Sequence, residues 1–227
     1  PIELPMPTEL FLDPDNPIHL DIGSARGDFL LGMAEENKYC NFLGLEIRQA
    51  LVNASNFDVD QRRLNNVRFL FCNANISLQD WLLKIPNKLI QVVSIQFPDP
   101  WFKRKHYKRR LLQPGLLIAL SDKLSYGSKL FIQSDVLEVL EQMMQLIEYT
   151  YCFESDISNR DLLSFENPFP SRTAREKYVI SNGLPIYRML YTRNDKVSPK
   201  LNEFINLINC NSDINKSLYR RSSIMRE

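Results

Sequence analysis

The stretch "DIGSARGDFL" (Asp21–Leu30) joins a predicted strand at 17–23 to a predicted helix at 27–37, whose apolar residues have helical spacing. Gly23 and Gly27 allow the backbone to come close to a ligand, and the N-terminus of a helix offers free N–H donors. The three residues between these glycines are not glycines, so the turn fits a dinucleotide pyrophosphate badly. Taken alone, the turn is equally compatible with an ordinary strand-to-helix connection.

Strands and helices continue to alternate along the chain, which predicts an α/β fold with a mainly parallel sheet and right-handed crossovers. The strand at 88–97 is nearly all apolar, as expected of a strand covered on both faces. Residues 157–172 are predicted to form a loop. The remaining predicted strands are 41–47, 66–74, 128–134 and 185–193, and the remaining predicted helices are 48–65, 77–85, 111–125 and 136–150.

The composition is that of an ordinary soluble globular protein, with 44% hydrophobic and 24% charged residues among 227. The net charge is only +1, so affinity for nucleic acid requires local clustering of charge. No apolar run is long enough to span a bilayer, and no signal peptide opens the chain. The four cysteines are widely spaced and there are only two histidines, which predicts no metal site and a reducing, cytoplasmic location.

Three polar residues stand at the ends of the first three predicted strands, where parallel strands converge on one crevice. An acid such as Glu46, about twenty residues past a glycine turn, can accept hydrogen bonds from two ribose hydroxyls. Asn73 offers a carbonyl oxygen to an adenine amino group, and Asp21 can orient an ammonium group. Together they predict a ligand with an adenine, a ribose and a zwitterionic or phosphate head.

A fourth acid, Asp99, follows the apolar strand in "SIQFPDPWFKRKHYKRR" (94–110). Phe97 and Asp99 each precede a proline, which disfavours helical backbone at both and presents Asp99 rigidly beside the predicted ligand. A dense block of positive charge follows, which is typical of a phosphate-backbone site, although a solvated basic face is the alternative. The block contains Lys103, Arg104, Lys105, His106, Tyr107, Lys108, Arg109 and Arg110.

The tetrapeptide "TARE" (Thr173–Glu176) has the pattern of a capping box at a helix N-terminus, and Gly183 is placed to end that helix. This local role is compatible with contact to a substrate, because a helix N-terminus also presents N–H donors toward a crevice.

Four motifs, "DIGSARGDFL", "GLEI", "FPDPWFKRKHYKRRL" and "TAREKYVISNGLPIYRMLY", resemble those of the bacterial tRNA (guanine-N7-)-methyltransferases over about residues 17–193. The resemblance implies a class I S-adenosylmethionine-dependent methyltransferase fold, Rossmann-like, with a last antiparallel strand. It also implies tRNA as partner and 7-methylguanosine in the variable loop, at position 46 of standard tRNA numbering, as product.

The resemblance also implies residue roles. Asp99 is the catalytic residue, and it shares the S-adenosylmethionine site with Asp21, Glu46 and Asn73, to which the turn adds Gly23. Two departures from the family pattern concern this site: Asp21 replaces a glutamate and Asn73 replaces an aspartate. The residues implied to meet the guanosine are Lys103, Asp135, Thr173, Ala174, Arg175 and Glu176.

Two other functions fit the sequence less well. A class I methyltransferase for an exocyclic amine would show an Asn/Asp-Pro-Pro-aromatic motif, whereas this strand ends in Phe-Pro-Asp-Pro-Trp. A non-catalytic RNA-binding relative would not need Asp99 and Glu46. We expect one methyltransferase domain at 1–193, a loose helix or disordered tail at 194–227, and either a monomer or a homodimer.

Overall fold

The computed structural model describes residues 2–101, 109–155, 157 and 161–210. Its strands are β1 (Ile18–Ile22), β2 (Asn41–Glu46), β3 (Val67–Phe71), β4 (Ile90–Gln96), β5 (Lys129–Ser134), β6 (Phe153–Glu154) and β7 (Tyr187–Arg193). Its helices are α1 (Pro7–Leu10), α2 (Asp28–Glu36), α3 (Gln49–Gln61), α4 (Ala74–Lys84), α5 (Pro114–Lys123), α6 (Leu137–Glu148), α7 (Ala174–Ser181) and α8 (Leu201–Cys210).

The strands form one seven-stranded sheet in the order β3-β2-β1-β4-β5-β7-β6. β1 to β5 are parallel, and β7 runs antiparallel to both β5 and β6, as the sequence predicted for the last strand. The chain order along the sheet reverses between β1 and β4, which opens a crevice beyond their carboxyl ends.

Helices cover both faces of the sheet, so all five residues of β1 are buried. On one face, Leu78 and Trp81 of α4 and Leu117 of α5 pack on the sheet. On the other face, Phe29 of α2 and Val52 of α3 belong to a second cluster of buried apolar residues. The burial of apolar surface on both faces stabilises the sheet. The candidate site lies at the ends of its strands.

The structure adds two elements that the sequence pattern did not predict, α1 and the two-residue β6, and it forms helix α8 where a loose helix or a disordered tail was expected. Helix α8 lies within the expected tail, yet Phe204 is fully buried and Ile208 is nearly so, both in the main core. Residues 211–227 lie outside the described residues, and the domain boundary after residue 193 stays a prediction.

Helix α7 has the cap that "TARE" predicted, but only half of the capping box. The Glu176 N–H donates to Thr173 Oγ1 at 3.0 Å, whereas the Glu176 carboxylate binds groups inside the protein. At the other end Gly183 has φ +63°, and the Leu184 N–H donates to the Val179 carbonyl, which ends the helix as predicted.

None of the helices in the described ranges is both long and apolar enough to cross a membrane. Cys40, Cys72, Cys152 and Cys210 all have free thiols. Burial raises the pKa of the Cys40 and Cys72 thiols to about 11, so neither is a reactive thiolate near neutral pH. In those same ranges no three His, Cys, Asp or Glu side chains are grouped as a metal site would require.

Candidate active site

A cavity of about 760 Å³ lies beyond the carboxyl ends of β1 to β5, at the point where the strand order reverses. Its volume suits a ligand of nucleoside size together with part of a second one. The predicted residues that line it are Asp21, Gly23, Glu46, Asn73, Asp99, Arg109, Asp135, Thr173, Ala174 and Arg175.

The glycine turn forms one wall of the cavity. Gly23 has φ +87° and Gly27, the N-cap of α2, has φ +77°, a region that favours glycine. A Cβ at Gly27 would lie 2.4 Å from the Phe69 ring, so no larger residue fits there. The hydroxyl oxygen of Ser24, in the same turn, is buried at the cavity and has no hydrogen-bond partner among the described residues.

Glu46 ends β2, beside the glycine turn, and is only 4% exposed. Its Oε2 accepts from the Ala25 N–H at 3.0 Å, and its Oε1 accepts from the Arg48 backbone N–H and Nε at 2.9 and 3.0 Å. The carboxylate is therefore held rigidly by the turn and by Arg48. The Arg48 side chain is 64% exposed, so it can move aside when a ligand reaches Glu46.

Asp21 is buried at the base of the cavity, and its Oδ1 accepts from Ser94 Oγ at 2.5 Å and from Gln96 Nε2 at 3.1 Å. Burial raises the pKa of this carboxyl from 3.8 to about 6, because these two hydrogen bonds only partly offset desolvation. No cationic side chain is paired with Asp21 within the described residues. A buried carboxylate without a cationic partner is well suited to bind a cationic group of a ligand.

The pKa of Asp21 gives a test of that contact. We expect the affinity for S-adenosylhomocysteine to rise as the pH is raised through about 6, since ionised Asp21 attracts an ammonium group and protonated Asp21 does not. Burial lowers the pKa of neighbouring His19 to about 3, so this histidine stays neutral throughout the window. Calorimetry from pH 5 to 8 on wild type and Asp21→Asn measures the effect. If the affinity of Asp21→Asn still changes with pH around 6, the pH dependence belongs to another group.

Asn73 follows β3 and serves as the N-cap of α4, because its Oδ1 accepts from the Asn75 N–H at 3.2 Å. This cap explains why α4 begins at Ala74, three residues earlier than predicted. A carbonyl oxygen has two lone pairs, so Oδ1 retains one acceptor position for an adenine amino group.

Asp99 lies at the mouth of the cavity, beyond β4, with its side chain exposed. The turn around it is closed by the Trp101 N–H, which donates to the Asp99 carbonyl at 3.0 Å. Phe97, which precedes the first proline, has φ +48°, outside right-handed helical geometry as predicted but in the left-handed region rather than an extended one. The Phe97 N–H donates to the Gln133 carbonyl at 2.8 Å, which anchors the turn to β5.

The first residues of helix α7 provide another part of the cavity wall. Thr173, Ala174 and Arg175 line the cavity, and Arg175 forms an ion pair with Asp135, which follows β5. Glu176 does not line the cavity: its side chain is fully buried and paired with Arg188 at 2.8 Å. The expectation that Glu176 contacts guanosine does not match this position, because both carboxylate oxygens are already bound inside the protein.

Only the last two residues of the basic block, Arg109 and Arg110, lie within the described part of the chain. Lys103, Arg104, Lys105, His106, Tyr107 and Lys108 lie outside the described residues. Arg109 is exposed at the cavity, with its guanidinium 5.1 Å from the centre of the Trp101 ring. Arg110 is only 9% exposed, and its Nε donates to the Trp101 carbonyl at 2.9 Å. Arg110 is therefore mostly buried, unlike Arg109, and its expected phosphate contact stays a prediction.

Sequence reasoning missed several polar residues beneath the cavity, namely Ser94, Gln96, Gln133 and Arg188. Ser94 and Gln96 stand in the otherwise apolar stretch "VVSIQF" (92–97), and Gln133 stands in "LFIQS" (130–134). Ser94 and Gln96 are two residues apart and so share one face of β4. Polar residues at alternate positions of a buried strand are a signal that could have revealed them.

The residues present fit S-adenosylmethionine. Asp21, which has no cationic partner in the described part of the chain, suits its ammonium group, and the rigid carboxylate of Glu46 suits a ribose diol. Among the same residues Ser24 Oγ has no hydrogen-bond partner and is available to the ligand. A sheet with this strand order, and a cavity of this kind at its switch point, define a class I S-adenosylmethionine-dependent methyltransferase.

The comparisons with known proteins narrow this class. A family model described as "Putative methyltransferase" matches residues 15–189. A tRNA (guanine-N(7)-)-methyltransferase of Prochlorococcus marinus (strain MIT 9313) is 52% identical over 201 residues, 88% of this chain and 85% of the relative. One of Parasynechococcus marenigrum (strain WH8102) is 53% identical over 199 residues, 88% of this chain and 84% of the relative. The chain belongs to the family of tRNA (guanine-N7-)-methyltransferases.

A solved structure agrees on the fold. An antibiotic-related methyltransferase aligns with a TM-score of 0.53 over 85% of this chain and 96% of its own, at 11% sequence identity. Identity this low supports the α/β methyltransferase fold alone.

Proposed function

We propose that this protein transfers a methyl group from S-adenosylmethionine to N7 of guanosine at position 46, in the variable loop of tRNA. The observation that carries the proposal is the position of Asp99, an exposed carboxylate at the mouth of a cavity whose base fits the cofactor. Membership of the tRNA (guanine-N7-)-methyltransferase family supports the choice of tRNA as substrate.

The chemistry requires little from the protein beyond geometry and electrostatics. The N7 atom of guanine has a free lone pair and no proton to lose, so its attack needs neither a general base nor a covalent intermediate. When bound, S-adenosylmethionine supplies the electrophilic methyl group. The residues of this chain then have to hold the base in line and stabilise the positive charge that develops on it.

Asp99 performs both tasks in this proposal. Its carboxylate accepts hydrogen bonds from N1–H and the N2 amino group, which selects guanine over adenine. The same negative charge stabilises the methylated, positively charged ring. Asp99 is thus a positioning acid that takes up no proton. Asp135, Thr173 and Arg175 also line the cavity and would hold the nucleotide.

The cofactor roles follow from the burial of each group. Asp21 holds the ammonium group, Glu46 the ribose hydroxyls, and Asn73 the adenine amino group, while Gly23 allows close approach of the backbone. The two departures from the family pattern are tolerable, because Asp21 keeps its carboxylate and Asn73 keeps an acceptor oxygen.

The tRNA would approach along the basic block, with phosphates near Arg109 and near Lys103 to Lys108. In this reading Lys103, only four residues past Asp99, reaches the target nucleotide itself. The target base has to leave its stack to reach the cavity, and phosphate contacts on either side would hold the flanking backbone.

Arg109 gives a test of this path. The slope of log affinity against log salt should become about one unit shallower in Arg109→Ala, the value expected for one lost phosphate contact. Filter binding of tRNA at several salt concentrations measures it. Arg62→Ala is the matched control, because Arg62 is an exposed arginine at the far end of α3. Equal slopes for wild type and Arg109→Ala would remove Arg109 from the tRNA path.

The deciding experiment for the function is incubation with labelled S-adenosylmethionine and unmodified tRNA, followed by nucleoside analysis. We expect 7-methylguanosine from a tRNA with guanosine at position 46 and none when adenosine replaces it. A label on an exocyclic amine, or on another RNA, would favour the alternative methyltransferase activity. Bound cofactor without any labelled product would favour a non-catalytic RNA-binding role.

The proposed function includes a cytoplasmic location and either a monomeric or a homodimeric enzyme. A substrate of this class and four free thiols support a cytoplasmic location. Whether the enzyme acts as a monomer or as a homodimer is answered by its mass in solution.

A further inference from the structure

A continuous row of hydrogen-bonded polar side chains crosses the sheet beneath the cavity. The row is set by strand register, which pairs Asp21 of β1 with Ser94 of β4, and both Gln96 of β4 and Arg188 of β7 with Gln133 of β5. All of these side chains are less than one-tenth exposed. The row ends at Glu176, on the first turn of α7.

The cofactor end of the row is directed toward Asp21. Ser94 Oγ and Gln96 Nε2 both donate to Asp21 Oδ1, and His19 Nε2 lies 2.9 Å from Ser94 Oγ. Because an ionised carboxylate only accepts, Gln96 must turn its amide nitrogen toward Asp21. Its oxygen, Oε1, therefore faces β5.

Gln133 is the centre of the row. Its Nε2 donates to Gln96 Oε1 at 2.7 Å and to Glu176 Oε2 at 3.2 Å, so both amide protons are used. Its Oε1 accepts from Arg188 Nε at 3.0 Å, and Arg188 Nη2 donates to Glu176 Oε1 at 2.8 Å. Gln133 is fully buried, and each of its bonds has a defined direction.

The two ends of the row are two walls of the active site. Asp21 lines the cavity where the cofactor head fits, and Glu176 anchors the helix whose first residues line another part of the same cavity. We propose that Gln133 is a positioning residue, which acts through Gln96 and Glu176 to fix the first turn of α7 relative to Asp21. This inference rests on the proposed function, because its purpose is to place the target nucleotide in line with the methyl group.

A role in stability alone makes a different prediction. If Gln133 only filled the core, replacing it by methionine, which has a similar shape, would lower stability and leave the rate per folded molecule unchanged. If Gln133 positions α7, the chemical step slows, because a shift of about 1 Å in a reacting group can cost up to about a hundredfold in rate.

The test is single-turnover methylation of tRNA by Gln133→Met. We expect the rate to fall by about tenfold to a hundredfold. We also expect S-adenosylhomocysteine and tRNA affinities within about threefold of wild type, since phosphate contacts dominate tRNA affinity. Asn66→Ala is the matched control: Asn66 is buried and its Nδ2 donates to three backbone carbonyls, but it lies at the opposite end of the sheet. This control should lose stability and keep its rate.

Three further measurements test the positioning role without relying on the rate of Gln133→Met alone. Gln133→Glu, which keeps an acceptor for Arg188 but loses both donors, should show the same slow step if Gln133→Met fails to fold. The double variant Gln133→Met/Glu176→Gln should be no slower than the slower single variant, because both changes break one row. Hydrogen exchange in 173–181 should speed up in Gln133→Met and not in Asn66→Ala.

The outcomes separate this inference from the proposed function. A wild-type protein that makes no 7-methylguanosine in tRNA overturns the proposed function, whatever the variants do. An active wild type whose Gln133 variants keep a normal single-turnover rate, or whose effects multiply with those of Glu176→Gln, overturns the positioning role. Unchanged exchange of α7 in Gln133→Met overturns it as well.

Discussion

Asp99→Ala is expected to slow methyl transfer by about a hundredfold or more under single-turnover conditions, the usual consequence of removing one preorganised electrostatic group. The Asp99 side chain is exposed and the turn around it is closed by a backbone hydrogen bond, so the variant should keep its fold. Its affinity for tRNA should stay nearly the same, because phosphate contacts dominate that affinity. The loss should therefore appear in the rate and not in binding.

Asp99→Asn provides the control for charge. Its amide has about the same shape but lacks the negative charge and offers one acceptor oxygen rather than two, so it should rescue little of the rate. Rapid-quench measurements with saturating enzyme compare the three proteins. A normal single-turnover rate in Asp99→Ala would rule out the role assigned to this carboxylate.

Glu46→Ala is expected to weaken cofactor binding by about 1–3 kcal/mol, the range for charge-assisted hydrogen bonds lost at a buried site. The ribose hydroxyls lose their acceptors, and the Ala25 N–H loses its partner in the glycine turn. Calorimetry with S-adenosylhomocysteine measures the change, and thermal unfolding shows whether the variant is folded.

Arg48→Ala separates the two roles of the Glu46 carboxylate. This variant also removes the ion pair between Glu46 and Arg48, but it leaves the carboxylate in place and open to the ligand. We expect its cofactor affinity to equal or exceed that of wild type. If Arg48→Ala and Glu46→Ala weaken binding equally, the ion pair rather than the ribose contact explains the loss, and the ribose role fails.

Much of the fold could be predicted from local pattern, because apolar periodicity and turn residues are local properties. The parallel strands and the antiparallel last strand are confirmed by the sheet. Strand ends also placed Asp21, Glu46, Asn73 and Asp99 around one cavity, since parallel strands bring their carboxyl ends together. The rule that parallel strands end at the same edge of a sheet therefore predicts which distant residues lie together, although the local sequence pattern does not show it.

What could not be predicted depends on register and on distant contacts. Nothing near Gln133 in the chain indicates that Gln96 and Arg188 lie beside it, because this depends on how β5 pairs with β4 and with β7. For the same reason Glu176 was expected to face the substrate, although Arg188 holds it in the interior. Helix α8 lies in the tail for which a loose helix or disorder was expected, and its docking could not be predicted, because Phe204 and Ile208 are buried against distant parts of the chain.

The backbone of Phe97 bears on how this enzyme could be engineered. A bulky residue with φ +48° is held in a region that L-residues rarely adopt, which costs on the order of 1–3 kcal/mol. Glycine at this position would remove that strain, but it would also remove a half-buried ring and add freedom to the unfolded chain. The same change would widen the range of directions in which Asp99 can be presented. A thermostable variant selected at position 97 would then be a slower catalyst, and selection for heat resistance here should include an activity filter.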